Sequence, residues 1–261
     1  MKNVSIITKK EKSLKNEVSK TEWSARVELA GAFRICVSRG WNETTANHMT
    51  ARVPDQPDYF LMNASDCSWA EVTASNLLKL DLNGKVVGNT ERRPRPAGLN
   101  FHSAIQREMP KINCSLHLHP IAGVVISAIQ EGLMFFDQGS CSLYDSVSYH
   151  EFEGIAEEED EAPRILSDLG ENYAMIMYNH GLLTVGRTVP EAIAYMQSLI
   201  DTCDKQCRIL SMNATPKPLS AELCQWTKSQ MAKRSNSQPI GETEFLAAFR
   251  REIRQDPSFM D

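Results

Sequence analysis

Two histidines lie one residue apart in the apolar run Cys114–Pro120, CSLHLHP, of a chain that has six histidines. Successive side chains of a β-strand point to opposite faces, so a strand here would place His117 and His119 on one face. Their imidazole rings could then converge on one point, and imidazole nitrogen is a common ligand of divalent metals. The pair alone leaves open both a metal site and two exposed or hydrogen-bonded histidines.

A third candidate ligand, His180, directly precedes Gly181 between two apolar runs in YNHGLLTVG. Glycine permits a sharp backbone bend, which could present the ring of His180 at the end of a strand. Three histidines from two strands would leave coordination positions open, as catalytic metal sites require. The sequence therefore predicts a metal centre formed by His117, His119 and His180.

The composition excludes several classes of partner. The chain of 261 residues is 42% hydrophobic and 23% charged, with a formal charge of −5, which is ordinary for a globular protein. It lacks the basic face of a nucleic-acid binder, and no apolar run approaches the roughly 18 residues of a membrane span. The seven cysteines are scattered, without a CxxC pair, and no secretory signal is recognised. We therefore expect a cytoplasmic protein with a small-molecule substrate, no nucleic acid and no membrane.

Helical patterns alternate with short apolar runs along the chain, which predicts a three-layer α/β domain. The Asn83-Gly84 pair predicts a hairpin, so the sheet should be antiparallel or mixed. The predicted organisation is a flexible lead-in over residues 1–20, a domain over 21–215 and a helical extension over 216–261. Helices are expected over residues 22–40, 98–108, 121–132 and 155–169, after Thr188, and near the C-terminus.

The motifs HMTARVP, LNFHSAIQREMPKIN, SLHLHP and NHGLLTVGRTVPEA resemble the class II aldolase/adducin family. The resemblance spans residues 24–211. It implies that His117, His119 and His180 are the metal ligands. It also implies an α/β/α sandwich with a mostly antiparallel or mixed central sheet, and a homotetramer with the metal near a subunit interface.

The resemblance also reveals what the chain lacks. Sugar-phosphate aldolases of this family carry a Ser-Ser-Glu motif, and the register set by His102 places it on Pro96, Ala97 and Gly98. Gly98 cannot replace the glutamate as the proton-transfer base, and the serines that help to hold a substrate phosphate are absent. An interface tyrosine of the family falls on Gln138. In these respects the chain is similar to adducin head domains and their bacterial relatives.

Further residues fall on positions that contact substrate in the family. His48 takes the place of a substrate-contacting asparagine, with a strand-edge polar residue as the alternative interpretation. Ser65 and Asp66 fall on another substrate loop, and Gly98 and Gln138 complete the predicted substrate-binding set. Two histidines outside these sets receive structural interpretations, His102 as a packed or hydrogen-bonded residue and His150 as a surface residue.

Three functional hypotheses remain. The first is a metal-dependent, aldolase-like lyase that acts on a small, unphosphorylated carbonyl or hydroxy-acid substrate through a metal-stabilised enolate. The second is a nonheme-iron oxygenase of an aromatic 2-oxo or 2-hydroxy acid, because three histidines can hold iron as well as zinc. The third is a non-catalytic, adducin-like oligomerisation module. Zinc is the expected ion, with iron or manganese as alternatives.

Overall fold

A computed structural model describes residues 12–43, 45–88, 90–154, 160–235 and 239–261 of the chain. Within these ranges it contains a single eight-stranded sheet, helices α1–α7 and three short 3₁₀ helices. The α-helices are α1 (Lys20–Ser38), α2 (Pro96–Glu108), α3 (Ile121–Ser127), α4 (Glu161–Leu169), α5 (Val189–Ser211), α6 (Ala221–Ser235) and α7 (Glu242–Gln255). The strands are β1 (His48–Val53), β2 (Gln56–Met62), β3 (Leu78–Asp81), β4 (Val86–Val87), β5 (Cys114–Leu118), β6 (Val147–His150), β7 (Ala174–Met177) and β8 (Gly181–Gly186).

The sheet is mixed and mostly antiparallel, as expected. Its strand order is β4-β3-β2-β1-β5-β8-β7-β6, and β6 pairs with β7 in parallel while the other described pairs are antiparallel. Strand β5, which carries His117, lies between β1 and β8. Three strands therefore meet where the candidate ligands lie.

Helices cover both faces of the sheet, which confirms the three-layer architecture. Side chains alternate between faces along each strand, as in Leu182 and Leu183 of β8. Leu182 packs in a core with residues of α1, α3 and α5, whereas Leu183 packs in a second core with residues of α2 and α4. Both cores exclude water from apolar side chains, which is the main favourable term in folding.

Local signals in the sequence explain several element boundaries. The hydroxyl of Thr188 accepts a hydrogen bond from the backbone of Glu191 and caps α5, as expected. The Asn83-Gly84 hairpin is confirmed, with Gly84 at φ +78°. The helix expected over 121–132 is shorter, because α3 ends at Ser127 and is followed by turns.

Other expectations were incomplete or lie outside the described part. Strand β6 was not predicted, and helix α6 was not located within the helical extension expected over 216–261. Helix α4 begins at Glu161, and residues 155–159 of the expected helix lie outside the described residues, as do residues 1–11 of the expected lead-in. None of the described helices is long and apolar enough to cross a membrane.

The C-terminal segment packs against the first helix. Helix α7 lies on α1, where Gly31 leaves the space that the ring of Phe249 fills. Phe245 of α7 and Phe259 of the final 3₁₀ helix are buried in the same core as the sheet. The expected domain boundary near residue 215 remains a prediction.

A buried ion pair fixes the start of α1. The carboxylate of Glu22, 1% exposed, accepts from Arg26 Nε at 2.9 Å and from Lys79 Nζ at 2.7 Å. Arg26 also donates to the carbonyl oxygens of Ala74 and Leu77, at 3.1 Å and 2.8 Å. Helix α1 is thereby joined to the segment that leads into β3.

We expect Glu22→Ala to lower the free energy of unfolding by about 3–5 kcal/mol, because the Arg26 guanidinium would remain buried without its carboxylate. Urea unfolding followed by circular dichroism measures this. Asp204→Ala is the control, since it breaks the exposed Arg208–Asp204 pair, for which we expect a change of less than about 1 kcal/mol. Equal effects of the two substitutions would contradict the prediction.

Candidate metal and substrate site

The three candidate ligands come together at one edge of the β5–β8 pair. In this antiparallel pair Leu118 lies opposite Leu182, so His119 after β5 comes close to His180 before β8. The ring centroids are 4.7 Å apart for His117–His119, 4.7 Å for His117–His180 and 4.9 Å for His119–His180. One ring nitrogen from each histidine lies within 4.8 Å of the other two. The expected shared face of His117 and His119 is therefore present.

Hydrogen bonds on the outer nitrogens orient two of the rings. His117 Nδ1 lies 3.0 Å from the carbonyl oxygen of Leu182, and His119 Nδ1 lies 2.8 Å from Oε2 of Glu43. Each of these oxygens accepts, so each Nδ1 carries a hydrogen, and a ring without a second hydrogen then has its lone pair on Nε2. The two Nε2 atoms are 2.8 Å apart. Nε2 is therefore the atom that each ring could offer to a metal ion.

Burial keeps the imidazoles of His117 and His180 in the form that a metal requires. Burial, and after it the neighbouring histidines, hold the pKa of His117 well below its usual range. The same causes lower the pKa of His180 to about 4. A neutral imidazole is the metal-binding form, because protonation removes the lone pair. The donor set therefore fits a divalent metal ion, and three protein ligands leave coordination positions open.

Gly181 is needed for a reason other than the expected one. The positive φ in this segment belongs to Asn179, at 54°, and not to the glycine. A Cβ at position 181 would lie 2.6 Å from the carbonyl oxygen of Leu118 and 2.7 Å from Cδ2 of His119. The missing side chain thus lets the end of β5 and the start of β8 approach closely.

Glu43 was missed in the sequence. It lies in the loop before β1, where its backbone N–H donates to Oδ1 of Asn47 at 2.7 Å. Its carboxylate reaches a histidine 76 positions away in the chain. No periodicity or motif connects such residues, so the sequence offered no signal for this contact.

His48 lies against the cluster and Gly98 lies against His48. In the register of β1 and β5, His48 is opposite His117, and the two rings are stacked with centroids 5.1 Å apart. A Cβ at Gly98 would overlap the His48 ring. Strand β1 lies inside the sheet, so the alternative of a strand-edge residue is wrong.

The remaining predicted substrate residues lie apart from the histidines in this chain. The backbone N–H of Ser65 donates to the carbonyl oxygen of Arg93 at 2.9 Å, and exposed Asp66 lies 3.9 Å from Arg92 Nε. Exposed Gln138 precedes a 3₁₀ helix that packs on α5 and α6. Within the described ranges none of the three forms a hydrogen bond or ion pair with the cluster, and their role in substrate binding stays a prediction.

Two further histidines have clear structural environments. His102 is fully buried and hydrogen-bonded, as expected. His150 is not at the surface: it is 2% exposed, with Nδ1 2.7 Å from Oδ2 of Asp168. The prediction for His150 was wrong because β6 brings it under helix α4, which supplies that carboxylate.

The histidine cluster opens into a pocket of about 400 Å³. One wall is apolar and accessible, since Ile121 is 85% and Val125 48% exposed. The size and the mixture of surfaces suit a small molecule with a polar end. The lining residues are Glu43, His119, Ile121, Val124, Val125, Asn179 and His180.

Comparisons with known proteins show which family and relatives the chain resembles. The family model of the Class II Aldolase and Adducin N-terminal domain matches residues 27–207. A Caulobacter vibrioides protein, whose name assigns it to aldolase class 2, is 38% identical over 82% of this chain and 83% of its own length. Alpha-adducin of Mus musculus is 35% identical over 85% of this chain, which corresponds to 30% of the adducin.

Solved structures share the fold. An aldolase II superfamily protein from Pseudomonas syringae superposes with a TM-score of 0.87 at 33% identity, over 96% of this chain and 100% of that one. L-fuculose 1-phosphate aldolase from Glaciozyma antarctica superposes with a TM-score of 0.79 at 26% identity, over 91% and 92% of the two chains.

Gly181→Ala is expected to weaken zinc binding by about tenfold or more, because the new methyl group would displace His119 and the end of β5. Competition with a chromophoric chelator, using metal-free protein, measures the affinity. Gly139→Ala is the control, since the nearest atom to its Cβ would be a flexible Asp137 oxygen at 3.2 Å. Unchanged affinity in Gly181→Ala would contradict the close approach at this site.

Glu43→Ala should lower the affinity for zinc about 10–100-fold, because His119 would lose the carboxylate that orients its ring. Glu43→Gln keeps an oxygen acceptor and should fall between the wild type and Glu43→Ala. Glu151→Gln is the matched control: it removes one exposed carboxylate beside His150, outside the cluster. If Glu151→Gln weakens zinc binding as much as Glu43→Ala, overall charge and not the Glu43–His119 contact is responsible.

Proposed function

This chain belongs to the Class II Aldolase and Adducin N-terminal domain family, and we propose that it is a metal-dependent, aldolase-like lyase. Its substrate would be a small, unphosphorylated carbonyl or hydroxy-acid compound. The observation that carries the proposal is the convergence of three imidazoles beside an open pocket. The first turn of α2 lacks the glutamate of the family's sugar-phosphate aldolases. The proposed reaction therefore does not use a carboxylate at that position.

His117, His119 and His180 would hold the metal ion. A divalent ion there would act as a Lewis acid towards a carbonyl oxygen of the substrate. Zinc is the proposed ion, because three imidazoles with an open position are a known zinc donor set. The residues of the chain itself orient the ligands: the carbonyl oxygen of Leu182 holds His117, and Glu43 holds His119.

The first turn of α2 supports an unphosphorylated substrate. Pro96, Ala97 and Gly98 provide neither a hydroxyl nor a carboxylate, and Pro96 has no backbone N–H. The ring of His48 occupies the space above Gly98. A side chain at position 98 therefore cannot transfer a proton in this chain, and the group that does so lies elsewhere.

Assembly and location follow as further parts of the proposal. Ile121 and Val125 expose apolar surface beside the pocket, which supports burial against another subunit in a homotetramer. All seven cysteines are free, which supports a reducing, cytoplasmic environment.

The adducin-like module is the second candidate, and the likeness to alpha-adducin favours it. It predicts metal-independent oligomers and no turnover. The oxygenase hypothesis predicts oxygen consumption that requires Fe(II) and an aromatic 2-oxo or 2-hydroxy acid, with no activity on zinc.

We expect purified protein to bind one divalent ion per chain and to melt at a higher temperature with zinc than without it. His180→Ala and His117→Ala should abolish this rise, whereas His150→Gln, outside the cluster, should retain it. Elemental analysis and thermal unfolding give these results, and aldol cleavage and addition assays with 2-oxo acids test turnover. Wild-type protein that neither binds a metal nor gains stability from zinc would overturn the proposal.

A further inference from the structure

A buried chain of hydrogen bonds runs behind the histidine cluster. Gln106 Nε2 lies 3.2 Å from Thr50 Oγ1, and Thr50 Oγ1 lies 2.6 Å from Ser115 Oγ. Ser115 Oγ lies 2.6 Å from Nδ1 of His102, whose Nε2 lies 2.8 Å from Nδ1 of His48. Every one of these side chains is at most 4% exposed. Each of the five side chains makes at least one of these bonds, although Gln106 Oε1 has no partner among the described residues. A buried polar side chain without a hydrogen bond is costly.

The donors and acceptors in the first half of this hydrogen-bond chain can be assigned. An amide nitrogen can only donate, so Gln106 Nε2 donates to the hydroxyl oxygen of Thr50. Within the described residues, the other side-chain partner of the Thr50 hydroxyl is Ser115. A buried hydroxyl hydrogen without an acceptor costs about 1–3 kcal/mol, so the Thr50 hydroxyl donates to Ser115 Oγ.

The second half follows from the first. The Ser115 hydroxyl, which accepts from Thr50, donates to Nδ1 of His102. Burial lowers the pKa of His102 to about 3, so this ring is neutral and has one donor and one acceptor. His102 therefore carries its hydrogen on Nε2 and donates it to Nδ1 of His48. An imidazole whose Nδ1 accepts a hydrogen bond carries its own hydrogen on Nε2.

We propose that this series of hydrogen bonds fixes His48 with its hydrogen on Nε2, and that this N–H donates to an oxygen atom of the bound substrate. Nε2 of His48 has no hydrogen-bond partner in the described part of the protein, and the ring lies beside His117. Gly98 has no side chain, which leaves room for the ring. Gln106, Thr50, Ser115 and His102 are then positioning residues that act through His48.

The proposal narrows the substrate class, and in this it rests on the proposed function. A fixed N–H donor favours an oxygen without a hydrogen, as in a carbonyl or carboxylate group. A fixed donor beside the metal ligands could recognise charge that develops on such an oxygen. A 2-oxo acid has both a carbonyl and a carboxylate group. We therefore expect 2-oxo acids to bind more tightly than simple alcohols.

The state of His48 can be measured without metal or substrate. In metal-free protein labelled with ¹⁵N-histidine, long-range ¹H–¹⁵N correlation spectra distinguish hydrogen on Nε2 from hydrogen on Nδ1. The signals of His48 are assigned by their loss in His48→Phe. We expect both His48 and His102 to carry hydrogen on Nε2. Hydrogen on Nδ1 of His48 would overturn the proposal.

Two serine variants test whether the hydrogen-bond chain determines which nitrogen of His48 carries the hydrogen. Ser115→Ala removes the donor to His102, so the ¹⁵N shifts of His48 should move to values between the two neutral forms. Ser103→Ala is the matched control, because its buried hydroxyl lies on the same helix as His102 but outside the chain. A single Nε2–H form of His48 in folded Ser115→Ala would contradict the role of the chain. If that variant does not fold, the wild-type spectrum decides.

Contact with a ligand is tested with acetohydroxamate, a small chelator with anionic oxygen atoms, on zinc-loaded protein. His48→Phe keeps an aromatic ring beside His117 but has no N–H, so calorimetry should show binding on the order of tenfold weaker than wild type. Equal affinity would overturn the contact. Failure of the wild type to bind zinc would instead overturn the proposed function, while the ¹⁵N measurement on metal-free protein would still decide the state of His48.

Discussion

The candidate site depends on the antiparallel pairing of β5 with β8. This pairing sets Leu118 opposite Leu182 and so brings the residue after one strand next to the residue before the other. Gly181 permits the approach, because any Cβ there would press on the carbonyl oxygen of Leu118. The same pairing supplies the Leu182 carbonyl oxygen that orients His117. The β5–β8 backbone thus brings the candidate ligands together and orients one of them, His117.

Strands β1 and β5 have one apolar and one polar face, and this division explains how the site is built. Met49 of β1 and Leu116 of β5 face the core shared with α1 and α5, whereas Thr50 and Ser115 lie on the opposite face, under α2. A polar interior is stable only if its groups are hydrogen-bonded to one another, and here they form a continuous chain. That hydrogen-bond chain leads to His48, which lies against the candidate ligand His117.

The parts of the fold that could be predicted are those with a strong local signal. Helix α5 has a regular apolar stripe and a threonine cap, and the Asn83-Gly84 pair fixes its hairpin through backbone conformation. Helix α6 lacks such a stripe, since Leu223 and Trp226 remain exposed, and it was not located within the expected helical extension. Helix α3 was expected to be longer because apolar residues continue after Ser127. In the structure those residues belong to turns.

The sequence by itself determined the group of candidate metal ligands. The strand period placed His117 and His119 on one face, and His180 before a glycine completed the set. Only the tertiary structure decided that Glu43 orients His119 and that His48 takes the space above Gly98. The physical reason is that periodicity reports neighbours along one element, whereas these contacts join separate elements across the sheet. Their partners are set by strand order and helix packing, which local sequence does not encode.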